Sequence, residues 1–186
     1  MIKLQNRDLE IIETLKNLKV MSSSQIQRLF FNNSQQAQSR RCKKLVNHKY
    51  IKTFSPGVWQ ENIYYVKRKP TQQLKSMLLV SELYVQLISA GVHVLDFTRE
   101  YCIPETDIRC DAHFLFEREG YNYEIIVEVD LTHCNTWKYE KYLKNNFVFP
   151  PLLTISPYKR NYSEQLLHYH IKSDMSNFKN IIEIFL

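Results

Sequence analysis

Gln35-Gln36-Ala37-Gln38-Ser39-Arg40-Arg41-Cys42-Lys43-Lys44-Leu45-Val46-Asn47 reads as a helix with a cationic centre and no carboxylate. Asn32-Asn33-Ser34 before it supplies a turn and a capping hydroxyl. Gln can pair with adenine edges and Arg with guanine edges in a major groove, while Lys holds phosphates and sets register. The candidate DNA-contacting set is therefore Gln35, Gln36, Gln38, Ser39, Arg40, Arg41, Lys43 and Lys44, joined by Lys52 just beyond. Arg41 has a second reading, with its stem packed toward the core and its head in solvent.

Working outward, Arg7 to Asn17 carries Leu9, Ile11, Ile12 and Leu15, with Leu18 just after, at helical spacing. Ser22-Ser23-Ser24-Gln25 can cap a short second helix with Ile26, Leu29 and Phe30 inward. After the cationic helix, Tyr50 to Phe54 alternates like a strand, Ser55-Pro56-Gly57 turns, and Ile63-Tyr64-Tyr65-Val66 returns. Three helices and a hairpin is the order of a winged helix-turn-helix, whose second paired helix enters the groove. A small helical bundle that binds protein, or merely packs, uses the same elements. Trp59 in the hairpin would then serve protein contact or core.

Charge separates these readings. Residues 1–70 hold 14 Lys and Arg against 4 Asp and Glu, a net of +10; residues 71–186 hold 11 against 15, a net of −4. Two halves of opposite sign suggest two domains, 1–70 and 71–186, the first facing a polyanion and most simply duplex DNA.

The 186 residues are 44% hydrophobic, enough for real cores. Gly numbers only 3, and neither GxGxxG nor GxxxxGK[ST] occurs. The four Cys form no zinc spacing and the six His no HExxH pair, so neither group predicts a zinc site. No apolar run approaches a membrane span, and the N-terminus lacks a leader-like stretch. The sequence predicts a cytoplasmic protein with reduced cysteines and no membrane partner.

In the second half, Lys67-Arg68-Lys69-Pro70 marks a boundary and Leu74 to Ala90 is strongly helical, with Gly91 as its stop. Strands are expected at 92–97, 111–116 and 123–130, with a turn at Glu119-Gly120. A helix follows at 135–146, then a strand at 152–156, a helix at 163–173 and a last strand at 181–185. That is a mixed sheet with flanking helices. The fold class expected is α+β, a winged helix-turn-helix followed by a small α/β mixed-sheet domain.

Asp111 begins one strand, and Glu128 and Asp130 end the next, two apart and so on one face. Such oxygens can hold Mg²⁺ or Mn²⁺, the cofactors a nuclease would use; an ordinary solvent face shows the same alternation. Lys138 and Tyr142 lie one turn apart on the next helix. Lys138 can stabilise developing negative charge and Tyr142 can act as nucleophile or hydrogen-bond donor, though both fit a packed, solvated helix equally well.

These segments together resemble the replication-relaxation family of plasmids, phages and conjugative elements. The resemblance lies in Arg7-Asp8, in Ser39 to Val46 before Tyr50-Ile51, in Asp111, in Glu128-Val129-Asp130-Leu131-Thr132-His133, and in Lys138 to Tyr142. It implies that the second domain resembles a PD-(D/E)xK nuclease fold, with Asp111, Glu128 and Asp130 on the metal and Glu82 as a further acid. The usual motif has Lys two residues after the second acid. Asp130 stands there in this chain, and Lys138 is the implied substitute.

Two functions follow as expectations. The first is a DNA-binding protein of a mobile element, supporting replication, transfer or transcriptional control. Its further partner would be a second copy or a replication or transfer protein. The second is a metal-dependent nickase or endonuclease using Asp111, Glu128, Asp130 and Lys138, with Tyr142 as a covalent nucleophile in one variant.

Overall fold

The computed structural model describes residues 2–58, 60–132 and 136–183. Trp59, His133 and Asn135 of the expectations above, and residues 184–185 of the last expected strand, lie outside them. Among the described residues the chain is mixed α+β, with six helices and two sheets. No helix among them is long and apolar enough to cross a membrane. The chain divides into two compact units, residues 1–85 and 86–186.

The first unit runs α1 (Asn6–Leu18), β1 (Met21–Ser22), α2 (Ser23–Phe30), α3 (Gln35–Asn47), β2 (Lys52–Phe54) and β3 (Ile63–Tyr65), then most of α4 (Leu74–Ser89). Ile11, Leu15 and Leu18 of α1 are buried. Leu9 is instead 55% exposed, because two residues back from Ile11 is the opposite side of a helix. Ser22 caps α2 reciprocally with Gln25: the Gln25 amide donates to Ser22 Oγ at 3.3 Å, and the Ser22 amide to Gln25 Oε1 at 2.9 Å. The three short strands form an antiparallel sheet in the order β1-β3-β2.

The expected boundary was Lys67–Pro70, yet the division falls inside α4. The first turns of α4 are bound into the first unit. Ser81 Oγ donates to the Val20 carbonyl at 2.7 Å, and Gln25 Nε2 to the Leu78 carbonyl at 3.0 Å. Leu74, Met77 and Leu78 pack on Val20, Ile63 and Tyr65.

The second unit is a five-stranded sheet ordered β4 (His93–Cys102), β5 (Arg109–Arg118), β6 (Tyr121–Val129), β7 (Leu152–Ser156), β8 (His168–Lys172). β4, β5 and β6 are antiparallel; β7 and β8 run parallel to β6. Gly120, at φ +82°, makes the β5–β6 turn. α5 (Trp137–Leu143) lies in the crossover from β6 to β7, since a parallel pair needs a long connection. Tyr139 and Leu143 of α5 pack into a core with Ile103, Ile108, Cys110, Ile126, Phe149, Leu152 and Leu166.

Two expected elements differ. The helix at 163–173 is replaced by β8, whose His168 to Lys172 pair with Leu152 to Ser156. The strand at 181–185 is replaced over its described part by α6 (Phe178–Ile182). Pairing along β7 satisfies the backbone groups of both strands.

Candidate nucleic-acid interface and acidic cluster

The exposure of α3 follows its 3.6-residue period. Gln38, Cys42 and Leu45 are buried, while Gln35, Gln36, Ser39, Arg40, Lys43 and Lys44 face solvent. Ser34 caps the helix, its Oγ accepting from the Ala37 amide at 3.4 Å. Two expected contact residues therefore change role. Gln38 is only 3% exposed and lies against the Cys42 thiol and the Tyr64 hydroxyl. Arg41 turns inward to Asp8: its Nε donates to Asp8 Oδ1 at 2.7 Å, its Nη2 donates to Oδ2, and its Nη2 also reaches the Lys3 carbonyl at 3.2 Å. Asp8 has no exposed surface. A buried carboxylate needs a cation, and Arg41 is the one that reaches it. Lys52 is exposed on β2, and its Nζ donates to the Lys67 carbonyl at 3.0 Å.

What remains is a stripe of amide, hydroxyl and cationic side chains at positions 36, 39, 40, 43 and 44, on one side of a capped helix. Such a stripe can meet phosphates and base edges together.

The second unit gathers its own polar cluster where β5, β6 and α5 meet. Asp111 Oδ2 accepts from the Val129 amide at 2.7 Å. Glu128 is 7% exposed; its Oε1 accepts from Lys138 Nζ and, at 2.6 Å, from the Tyr139 hydroxyl. Asp130 Oδ2 accepts from the Tyr162 hydroxyl at 3.1 Å. Burial pushes the Glu128 carboxyl up despite Lys138 and Tyr139, with the Asp111 charge adding to the rise. Burial also raises Asp130, against the Tyr162 hydrogen bond and the Lys138 charge. The same burial raises Tyr139, and the neighbouring Glu128 charge raises it further.

Lys138 thus meets Glu128. Among the described residues no three His, Cys, Asp or Glu side chains form a group that could hold a metal ion as they stand. Asp111, Glu128 and Asp130 are tied to an amide, to Lys138 with Tyr139, and to Tyr162, and the Asp111 charge acts on both of the others.

Tyr142 has partners of its own. Its hydroxyl donates to Asp107 Oδ1 at 2.7 Å and accepts from the Asp107 amide at 2.8 Å, while its ring packs on Phe147 and Phe149. The tyrosines at the carboxylates are Tyr139 and Tyr162, neither of which the spacing argument named. Glu82 binds within the first unit, both its oxygens taken by Arg28 and one also by Gln25.

Set against known proteins, the chain matches no protein-family model and no curated protein.

Proposed function

We propose that this is a cytoplasmic DNA-binding protein of a mobile genetic element, resembling the replication-relaxation family. It would bind duplex DNA through a winged helix formed by the first unit. The observation that carries this reading is the exposed stripe Gln36, Ser39, Arg40, Lys43 and Lys44 on α3. The order α1-β1-α2-α3-β2-β3 with sheet order β1-β3-β2 supports it. In that motif the second helix of the pair lies in the major groove, the place for α3. The function served is replication, transfer or transcriptional control of the element.

The order α4-β4-β5-β6-α5-β7, with Lys138 on Glu128, is what favours a PD-(D/E)xK-like scaffold and hence the alternative of a nickase or endonuclease. With Lys138 already on Glu128, we favour a scaffold that does not cleave.

The test is anisotropy of a labelled duplex against salt. Lys43→Ala should weaken binding to all sequences alike and lower the salt slope by about 1. Gln36→Ala should relax preference at one base pair by about 1–3 kcal/mol. If neither change alters affinity, the proposed interface is wrong.

A further inference from the structure

A cleft of 260 Å³ opens between the start of α1 and α3. Gln5, Arg7, Ala37, Arg40, Arg41 and Lys44 line it. Four of these six side chains are cationic; Asp8 forms an ion pair with Arg41 and its charge also acts on Arg7. Asp8 itself is enclosed and is absent from the cleft wall.

Arg7 is the notable member, because it comes from α1 and not from the α3 stripe. Its guanidinium carbon sits 4.3 Å from the Phe31 ring centroid. Its Nε is buried and has no hydrogen-bond partner. Stacking fixes the plane of a guanidinium, and a buried donor without an acceptor is costly until an acceptor arrives. Arg40 and Lys44 stand one turn apart on α3, both exposed. Three cations without a salt bridge, converging from two helices, favour an anion between them. Guanidinium groups match the oxygens of phosphate in particular. The volume falls below the roughly 300–1,000 Å³ of pockets that enclose organic ligands. It suits one phosphoryl group better than a whole nucleotide.

We propose that this cleft seats a single phosphate of the DNA backbone, held jointly by Arg7 of α1 and by Arg40 and Lys44 of α3. The inference rests on the DNA-binding reading above and adds a contact to it. A phosphate gripped by two helices fixes how α3 lies along the duplex, whereas stripe contacts alone let it slide. The Asp8–Arg41 pair is the strut that holds the two walls at their spacing, and Ala37 leaves the room between them.

The experiment uses the full chain and the same labelled duplex, between about 50 and 200 mM salt. Arg7→Gln should lower the salt slope by about 1, so that the affinity lost across that range shrinks by about 3–4-fold. Arg7→Lys keeps a cation and should retain the slope. Lys16→Gln alters an exposed α1 cation outside the cleft and should change nothing. Arg7 stacks on Phe31, so Arg7→Gln may be replaced, if it does not fold, by Ala37→Leu. That neutral change fills the cleft and should produce the same drop.

If both cleft variants keep the full slope while Lys43→Ala lowers it, the phosphate seat is wrong and the DNA-binding reading stands. If the unaltered protein shows no salt-dependent binding, both fail together. Inorganic phosphate and a nucleoside monophosphate, titrated while amide resonances are followed, separate the sources of the phosphoryl group. Weak, similar shifts at residues 5–7 and 37–44, lost in Arg7→Gln, are expected. Micromolar binding of the free nucleotide, with the DNA slope unchanged by Arg7→Gln, would mark a seat for a free anion and overturn the backbone assignment.

Discussion

Asp8 has no exposed surface, and its carboxylate is held by Arg41 and by the Gln5 amide at 2.7 Å. Burial alone would raise its pKa. The hydrogen bonds from Arg41 and Gln5, with the Arg41 and Arg7 charges, outweigh burial and hold it below the ordinary carboxylate value. A depressed folded value means the pair contributes in full above about pH 3.9, where the unfolded carboxylate ionises, and is lost as pH falls through the folded value. Asp8→Ala should therefore cost about 3 kcal/mol near neutral pH, the low end for breaking a buried pair, because Arg41 keeps an open edge to water. The gap between variant and parent in urea unfolding should narrow below about pH 3.9. A gap that stays constant would mean the ionised pair is not what holds α1 to α3. Glu128 has the opposite sign: its raised folded value makes the ionised form a burden that acid relieves. The need for a partner at Asp8 was visible in the sequence, since Asp8, Ile11, Leu15 and Leu18 share one helix face. Which cation would answer was not visible, because Arg41 lies 33 residues away.

Elements with one clear period were legible. α1, α3, α4, β5, β6 and β7 fall where apolar spacing put them, within a few residues. β8 was misread because Tyr169 and Ile171 are too few apolar residues to set a period, and only pairing with the neighbouring β7 decides it. α4 was read correctly as a helix, but its allegiance was not legible. One face of a helix does not announce which core it enters. Leu74, Met77 and Leu78 are each partly buried on the first unit, worth about 1 kcal/mol apiece. Their sum is large against the roughly 5–15 kcal/mol of a whole domain. A fragment of residues 1–70 would also leave the Val20 carbonyl without Ser81 and Gln25 without Leu78 and Glu82. That fragment should give no cooperative melt by circular dichroism, whereas residues 1–91, which complete α4 and its Gly91 stop, should melt cooperatively. A cooperative transition in the shorter fragment would show that α4 is dispensable to the first unit.

At the scale of the whole molecule the charge asymmetry survives the shift of boundary. Moving it from Pro70 to Val85 transfers Lys75 and Glu82 together, so the two parts keep net charges of +10 and −4. The basic unit should then carry the electrostatic part of DNA binding, while the acidic unit repels the same polyanion. An active nuclease would offset that repulsion by gathering cations at its carboxylates. Here Lys138 already sits on Glu128, and no metal-holding group forms among the described residues. Incubated with a supercoiled plasmid and Mg²⁺ or Mn²⁺, the protein should retard the plasmid and leave it intact. Asp111→Asn should behave identically, since it keeps an acceptor near the Val129 amide while removing the charge. Asp111→Ala/Glu128→Ala should retain retardation if it folds, because the basic unit is untouched. Metal-dependent nicking that disappears in Asp111→Asn would reverse the conclusion. It would require metal to displace Lys138 from Glu128, making the second unit catalytic rather than a scaffold.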